Sequence, residues 1–234
     1  QHSHWELSME EFVPGTVKPE EEYEELSRLG AALGIPVPQT FITLEVTTPE
    51  GELLDRQHQR SRTWVRNFWN QVLCVASATS KGTLTGTYGA GSLKVRTTSS
   101  SDFNTSYSHL QTYSASNYGY CIRFGSGTTA ESFEAINLAN TIANGVTAGT
   151  LVWAYTTQNT PSYDAASKTW TNGVSVAMTN SSGGTITITE VGLFAVGSDF
   201  NNALIARDLL SSSISVPATA VISCTYSHTL VFPA

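Results

Sequence analysis

The amino-acid sequence predicts a mainly β protein, an antiparallel β-sandwich of jelly-roll-like type with an N-terminal helical arm and one amphipathic helix. Short runs of β-branched residues alternate with turn residues through most of the chain after residue 80, as in antiparallel sandwiches. Serine and threonine account for 59 of the 234 residues, and in 185–189 threonine occupies every second position. Only 13% of the residues are charged and 40% are hydrophobic, which predicts a core beneath a weakly charged surface.

The composition also excludes several classes of protein. The hydrophobic share is too high for a disordered chain. The sequence contains no run of 18 apolar residues, so it predicts no membrane helix. A sequence pI near 5.2 argues against a nucleic-acid-binding protein, because such proteins carry basic surfaces. We therefore expect neither a nucleic acid nor a membrane among the partners of this chain.

The distribution of charge and texture predicts three regions. Residues 1–30 hold eight acidic and two basic residues, whereas the rest of the chain is nearly neutral. The predicted regions are an acidic N-terminal arm with a short helix at 1–38, a β-hairpin and amphipathic helix at 39–80, and the sandwich at 81–234. The arm is either a solvated segment or a segment that docks on a basic groove of a neighbouring subunit.

The arm contains the signals of a short helix. Pro19 stands at the first helical position, acidic residues follow in the first turn, and Gly34 ends the run. The helix carries one apolar stripe, which consists of Tyr23, Leu26, Leu29 and Leu33. A helix of about fifteen residues is only marginally stable alone, so we expect this stripe to pack on another surface. Its first three residues are candidate assembly contacts.

The next region combines a predicted hairpin with an aromatic helix. Residues 41–46 and 53–59 alternate in polarity as two strands, and Ser61 is expected to cap the helix that follows. The apolar stripe of this helix includes three large aromatic residues, Trp64, Phe68 and Trp69. They are either core residues or part of an interface.

The remaining strands are predicted from β-branched runs bounded by turn residues. They are expected near 93–98, 118–124, 150–157, 168–179, 185–196, 203–209 and 218–231. The alternating pattern on both sides of a turn at 180–184 predicts a hairpin over 174–189. Residues 130–143 form a short helix or a loop, and residues 99–117 form a long loop.

Residue types that support catalysis form no recognisable constellation. The sequence contains no metalloprotease, serine-hydrolase or phosphate-loop motif. We therefore expect no catalytic residues, metal or cofactor, and a protein that is not an enzyme. The odd number and spacing of Cys74, Cys121 and Cys224 predict buried thiols rather than a disulfide framework.

An aromatic stretch within the predicted long loop is a candidate contact site. It includes Phe103, Tyr107 and Tyr113 among serine and asparagine residues, which is the composition of adaptable recognition surfaces. This loop either packs between subunits or binds a host surface glycan.

Five short motifs occur in order between residues 61 and 232. They are SRTWVRNFWN at 61–70, GSGTTA at 125–130, TITITEVGLF at 185–194, LIARD at 204–208 and ISVPA at 214–218. Together with the final strand, they resemble segments of small virion proteins of tailed bacteriophages and prophages.

The resemblance implies a structural component of a phage particle, located in its tail, baseplate or head surface. It implies an oligomer that contacts copies of itself and other virion proteins, with no catalytic residues. Within the third motif, Glu190 lies in an apolar strand and needs a partner if it is buried, and Arg207 is the candidate for an ion pair. The alternatives are a carbohydrate-binding module, a surface filament subunit whose arm completes a neighbour's sheet, and a hydrolase.

Overall fold

The computed structural model describes residues 19–69, 85–88, 91–94, 121–154, 156–197 and 200–232. Within these ranges the chain is mainly β, with a first helix, the beginning of a second at 66–69, and ten strands. The named elements are α1 (Pro19–Leu33), β1 (Val37–Thr47), β2 (Leu53–Arg60), β3 (Thr85–Tyr88), β4 (Gly91–Lys94), β5 (Ile122–Gly125), β6 (Thr157–Asp164), β7 (Thr169–Thr179), β8 (Ile186–Gly197), β9 (Phe200–Val216) and β10 (Val221–Val231).

The strands form two main antiparallel sheets. The larger sheet has the order β2-β1-β10-β7-β6, and the smaller sheet has the order β5-β8-β9. Strands β3 and β4 pair with each other as a separate antiparallel ribbon. Every named pair is antiparallel, so the predicted mainly β, antiparallel fold class is confirmed.

The alternation of side chains in the sequence explains which strand faces are buried. In β1, Ile42, Leu44 and Val46 are completely buried, whereas the residues between them are partly exposed. Their partners in β10 include Tyr226 and Cys224, which are also completely buried. A period of two therefore places one apolar face of the large sheet against the interior.

One hydrophobic core joins the two sheets into a sandwich-like arrangement. The large sheet contributes residues of β1, β7 and β10, and the small sheet contributes residues of β5, β8 and β9. The largest completely buried side chains in this cluster include Tyr226, Phe124, Ile42, Leu44, Ile122, Met178, Ile188 and Leu193. Burial of these side chains on both sheets is the main stabilising contribution, at roughly 1.5–3 kcal/mol for each large side chain.

The predicted hairpin over 174–189 is wrong, because its two strands belong to different sheets. β7 pairs with β10 and β6, whereas β8 pairs with β5 and β9. Asn180 lies buried at this crossing, and its side-chain amide donates to the carbonyl groups of Gly184, Val216 and Pro217 at 2.7–3.0 Å. The β7–β8 and β9–β10 connections both cross between the two sheets. The bonds of Asn180 hold these two turns side by side.

The strand expected at 150–157 is also wrong for most of its length. Of the described residues in 150–157, only Leu151 and Val152 form isolated bridges, and β6 begins at Thr157 and continues to Asp164. Residues 130–143 form a loop rather than a helix. The predicted strands near 168–179, 185–196, 203–209 and 218–231 coincide with β7, β8, β9 and β10, although β9 is much longer than expected. Of the strand predicted near 118–124, the last three residues belong to β5, and residues 118–120 lie outside the described residues.

Candidate functional site

The two residues expected to form an ion pair are in contact inside the small sheet. The Nε atom of Arg207 on β9 donates to Oε2 of Glu190 on β8 at 2.7 Å. The Arg207 side chain is 3% exposed and the Glu190 side chain is completely buried. Because an isolated buried charge is costly, each of these residues requires the other.

Glu190 accepts hydrogen bonds at both of its oxygen atoms. The backbone N–H groups of Gly127 and Asn140 donate to Oε1 at 3.1 and 2.8 Å, and that of Ala139 donates to Oε2 at 3.1 Å. Burial alone would raise the pKa of Glu190, but the hydrogen bond from Asn140 and the interaction with Arg207 outweigh it and lower this pKa. The side chain therefore remains a carboxylate that accepts four hydrogen bonds.

Two glycines of the 125–130 motif provide the space for this carboxylate. A Cβ atom built on Gly125 or on Gly127 would lie 2.5 Å from Oε1 of Glu190. Any side chain at these positions would displace the carboxylate. The glycine-rich turn and the buried glutamate are therefore a matched pair, although they lie about sixty residues apart in the sequence.

Arg207 binds the same turn through its other nitrogen atoms. Its Nη2 donates to the carbonyl of Thr129 at 2.8 Å, and its Nη1 donates to the carbonyl of Ala130 at 3.2 Å. The hydroxyl of Thr189 donates to the carbonyl of Gly127 at 2.8 Å. The turn after β5 is thus bonded to both β8 and β9.

The neighbouring residue Asp208 holds the first motif. Its carboxylate accepts hydrogen bonds from the Ser61 hydroxyl at 2.8 Å and from the backbone N–H groups of Arg62 and Thr63 at 2.7 and 3.4 Å. Burial raises the pKa of Asp208 to about 6, against these hydrogen bonds, which lower it. Four of the resembling segments thus meet at one place, which we call the polar junction: residues 61–63, the 125–130 turn, Glu190, Arg207 and Asp208.

The role expected of Ser61 as a helix cap is wrong. The chain continues in an extended form through Trp64, which bridges to Ala206 on β9, and helical structure begins only at residue 66. Backbone hydrogen bonds join Val65 to Ile205 and Arg207 to Thr63. Residues 61–65 therefore lie along the free edge of β9 and cover it.

The aromatic residues that follow divide between the interior and the surface. Trp64 and Phe68 are partly buried against the core, with ring centroids 4.3 Å apart, and Trp64 also lies 5.9 Å from the ring of His228. Trp69 packs edge-on against Phe68, yet 47% of it is exposed. Trp64 and Phe68 thus have a structural position, and Trp69 retains the exposure of an interface candidate.

The helix α1 contacts the large sheet through an arginine that sequence reasoning missed. The guanidinium of Arg60 on β2 lies 4.1 Å from the ring centroid of Tyr23 and 4.4 Å from that of Phe41. Its Nη2 donates to Glu20 at 2.9 Å. Arg60 stands at the end of a charged and polar strand, and no motif in the sequence distinguishes it from other surface arginines.

Of the stripe predicted to pack on another surface, only Tyr23 packs on the large sheet within the described residues. Tyr23 and Ser27 are half-buried and Gly30 is buried, whereas Leu26 and Leu29 are exposed. A Cβ on Gly30 would lie 2.5 Å from Val37 Cγ2, so the missing side chain permits the helix to approach β1. The cation–π contact and this close approach turn the leucines away from the sheet.

Comparisons with protein-family models, curated proteins and solved structures returned no match.

The other candidate residues have simpler outcomes. Phe103, Tyr107 and Tyr113 lie outside the described residues, as does Cys74. Cys121 and Cys224 are buried thiols, and burial raises the pKa of Cys121 to about 11. Across the described ranges, no cluster of three or more His, Cys, Asp or Glu side chains could hold a metal ion. No helix in the same ranges has the length and apolar character needed to cross a membrane.

At the polar junction, Glu190 and Arg207 use their polar atoms to bind loops of the same chain. Glu190 is enclosed by four donors, and Arg207 is enclosed by three acceptors. A general base needs an oxygen within reach of a substrate proton, and neither Glu190 oxygen is exposed to solvent. The chemistry of this arrangement is therefore the attachment of three chain segments to one sheet.

Proposed function

We propose that this chain is a structural component of a tailed-phage virion, a tail, baseplate or head-surface protein without enzymatic activity. It assembles with copies of itself and contacts other virion proteins. The observation that supports this proposal is the convergence of the resembling motifs on the polar junction. Catalytic side chains present reactive atoms to a cavity, whereas the side chains of the polar junction use their polar atoms to bind one another.

The convergence explains why the motifs must occur together. Gly125 and Gly127 are required only if Glu190 is present, and Glu190 is tolerated only if Arg207 neutralises it. Asp208 then positions the segment that leads to Trp69. A framework of this kind presents surface residues at defined positions, which is what a repeating subunit requires.

The test is the mass of the purified chain in solution, measured by light scattering behind a sizing column at two concentrations. A stable multimer, followed by rings, trimers or a sheath in electron microscopy, is the expected result. A monomer of 25.1 kDa that binds members of a glycan array would instead favour the carbohydrate-binding module. Polymers in which the N-terminal arm completes the sheet of a neighbouring subunit would favour the surface filament subunit.

A matched pair of variants locates the interface. Trp69 and Tyr163 are similarly exposed, at 47% and 56%, but only Trp69 lies in a resembling motif. We expect Trp69→Ser to shift the multimer toward smaller species and Tyr163→Ser to leave its mass unchanged. Equal effects of the two substitutions would show that the motif surface has no special part in assembly.

A further inference from the structure

One side of α1 presents a continuous apolar surface to solvent. Leu26 is 50% exposed, Leu29 is 43% exposed and Leu33 is 70% exposed, and the spacing of three and four residues places them in a row. Ile35, which follows the helix, is also exposed, at 55%. We call these four residues the leucine strip.

The described body of the chain does not cover the leucine strip. α1 meets the large sheet through Tyr23, Ser27 and Gly30, which lie on an adjacent face of the helix. A helix whose packed face is this narrow leaves most of its apolar area in water. Such exposed apolar rows are uncommon on monomeric proteins and mark contact surfaces.

The charges beside the leucine strip select the kind of partner. α1 carries five glutamates and one arginine, Arg28, which is already bonded to Glu25 at 2.6 and 2.8 Å. Glu22 lies one helical turn before Leu26, Glu21 is next to it in the chain, and both are exposed. The favourable field of the helix N-terminus accounts for acids in the first turn, but that field does not extend to Glu24 and Glu25.

A second copy of this helix is a poor partner for the leucine strip. Two copies packed through their leucines would bring two acidic rims together, and like charges at an interface are unfavourable. A cation does bind α1 within this chain: the Arg60 guanidinium contacts Glu20 and the Tyr23 ring on the neighbouring face of the helix. The surface therefore fits apolar side chains that are flanked by cations.

We propose that the leucine strip is the docking surface for a basic amphipathic segment of a different protein. Leucine-type side chains of that segment cover Leu26, Leu29 and Leu33, and its lysines and arginines meet Glu21 and Glu22. This inference rests on the proposed role as an assembly subunit, and it states the chemistry of one of the other virion proteins that this subunit contacts.

The test uses a synthetic helical peptide of leucine and lysine, with leucines spaced as in the strip, titrated into the full chain by calorimetry. A leucine–glutamate peptide of equal length is the control ligand. We expect the leucine–lysine peptide alone to bind, and the triple variant Leu26→Ser, Leu29→Ser, Leu33→Ser to weaken its binding at least about tenfold. Added salt, or Glu21→Gln with Glu22→Gln, should weaken it too.

A second variant on the same helix controls for lost helix propensity. Ala31 and Ala32 are exposed and lie outside the leucine strip, so Ala31→Ser with Ala32→Ser should bind the peptide as the wild type does. Unchanged binding by the leucine triple variant would overturn the proposal. So would binding of the leucine–glutamate peptide with equal affinity.

Two further outcomes would assign the strip to another occupant and overturn the proposal. A triple variant whose Tm falls by more than about 5 °C would show that this chain itself covers the leucines. Loss of a wild-type dimer in the triple variant would show that a second copy covers them. The proposed function fails separately: a chain that stays monomeric by light scattering yet binds the leucine–lysine peptide loses only its role as a self-assembling subunit.

Discussion

Two pairs of arginine and glutamate in this molecule differ in what surrounds the carboxylate. In both pairs the guanidinium is buried, with the Arg207 side chain 3% exposed and the Arg60 side chain 9% exposed. Glu190 is completely buried and has three backbone donors besides Arg207, whereas the Glu20 side chain is 60% exposed. The polar junction is therefore a permanent part of the framework, and the contact of α1 is one that water can replace.

The comparison also separates two uses of an ion pair. At the polar junction, the desolvation of two charges is offset only because the chain supplies a partner for each polar atom. At α1, Glu20 loses little hydration, and the stabilisation comes mainly from the aromatic rings on both sides of Arg60. We therefore expect substitution of either residue in the Glu190–Arg207 pair to be strongly destabilising. Several residues should be tolerated in place of Glu20 in the Glu20–Arg60 pair.

The largest effect on stability is expected when Arg207 is replaced by methionine. Arg207→Met leaves the Glu190 carboxylate buried without its counter-charge, so we expect a loss of about 3–5 kcal/mol in the free energy of unfolding. Urea denaturation followed by tryptophan fluorescence measures it. The matched control is Arg66→Met, because the Arg66–Glu134 pair is exposed on both sides and should change stability by less than about 1 kcal/mol.

The second prediction concerns Asp208 and the pH dependence of stability. Burial raises its pKa from 3.8 to about 6, so the folded chain binds a proton more tightly than the unfolded chain between these values. Ionisation of Asp208 therefore removes stability as the pH rises from about 4 to 6, by about 3 kcal/mol in total. Relative to the wild type, Asp208→Asn should gain stability by that amount between pH 4 and pH 7.

His228 provides an internal control of opposite sign. Burial lowers the pKa of His228 to about 4, so the unfolded chain takes up this proton first and stability falls as the pH drops below about 6.5. In thermal unfolding from pH 4 to 7, Asp208→Asn should therefore show a steeper acid loss than the wild type. Parallel curves for the two proteins would show that Asp208 is not buried as a charge.

A third prediction tests whether the glycine-rich turn must lack side chains to accommodate Glu190. Gly127→Ala places a methyl group 2.5 Å from both Glu190 Oε1 and the Ala139 Cβ, and overpacking of this kind costs about 1–3 kcal/mol. Gly184 has open space around its Cβ position, so Gly184→Ala is the matched control and should leave the Tm nearly unchanged. Equal shifts of Tm in the two variants would contradict the match between Gly127 and Glu190.

The smallest effect is expected at Arg60, which completes the comparison with Arg207. Arg60→Met keeps the aliphatic part of the side chain between Tyr23 and Phe41 but removes the charge, at a cost of about 1 kcal/mol. Because α1 is held mainly through this contact, limited trypsin digestion at Arg28 should become faster. If Arg60→Met were as destabilising as Arg207→Met, the distinction between the two pairs would be wrong.

Local patterns predicted many of the elements. The alternation in residues 41–46 predicted a strand with one buried face, and the same period over 185–189 predicted the start of β8. The helix signals from Pro19 to Gly34 coincide with α1. These elements follow from short-range rules, because the side chains that decide them lie within a few residues of one another.

Predictions that depended on distant partners failed more often. The pattern over 174–189 is that of a hairpin, yet the two strands join different sheets, and Asn180 between them is bonded to the β9–β10 turn. Ser61 has the position of a helix cap, yet Asp208, 147 residues away, is its partner. The stripe of α1 was visible in the sequence, but Arg60 and Gly30 decided which face of the helix meets the sheet.

The sequence by itself determined the strand-rich composition, the periods of the main strands, and the need of Glu190 for a counter-charge. The tertiary structure alone decided which sheet each strand joins, why Gly125 and Gly127 have no side chain, and which side of α1 stays exposed. The physical reason is the distance along the sequence between the residues that interact. Periodicity and charge burial act locally and can be read along the chain, whereas a hydrogen-bond partner or a void of one methyl group is set by segments that meet only after folding.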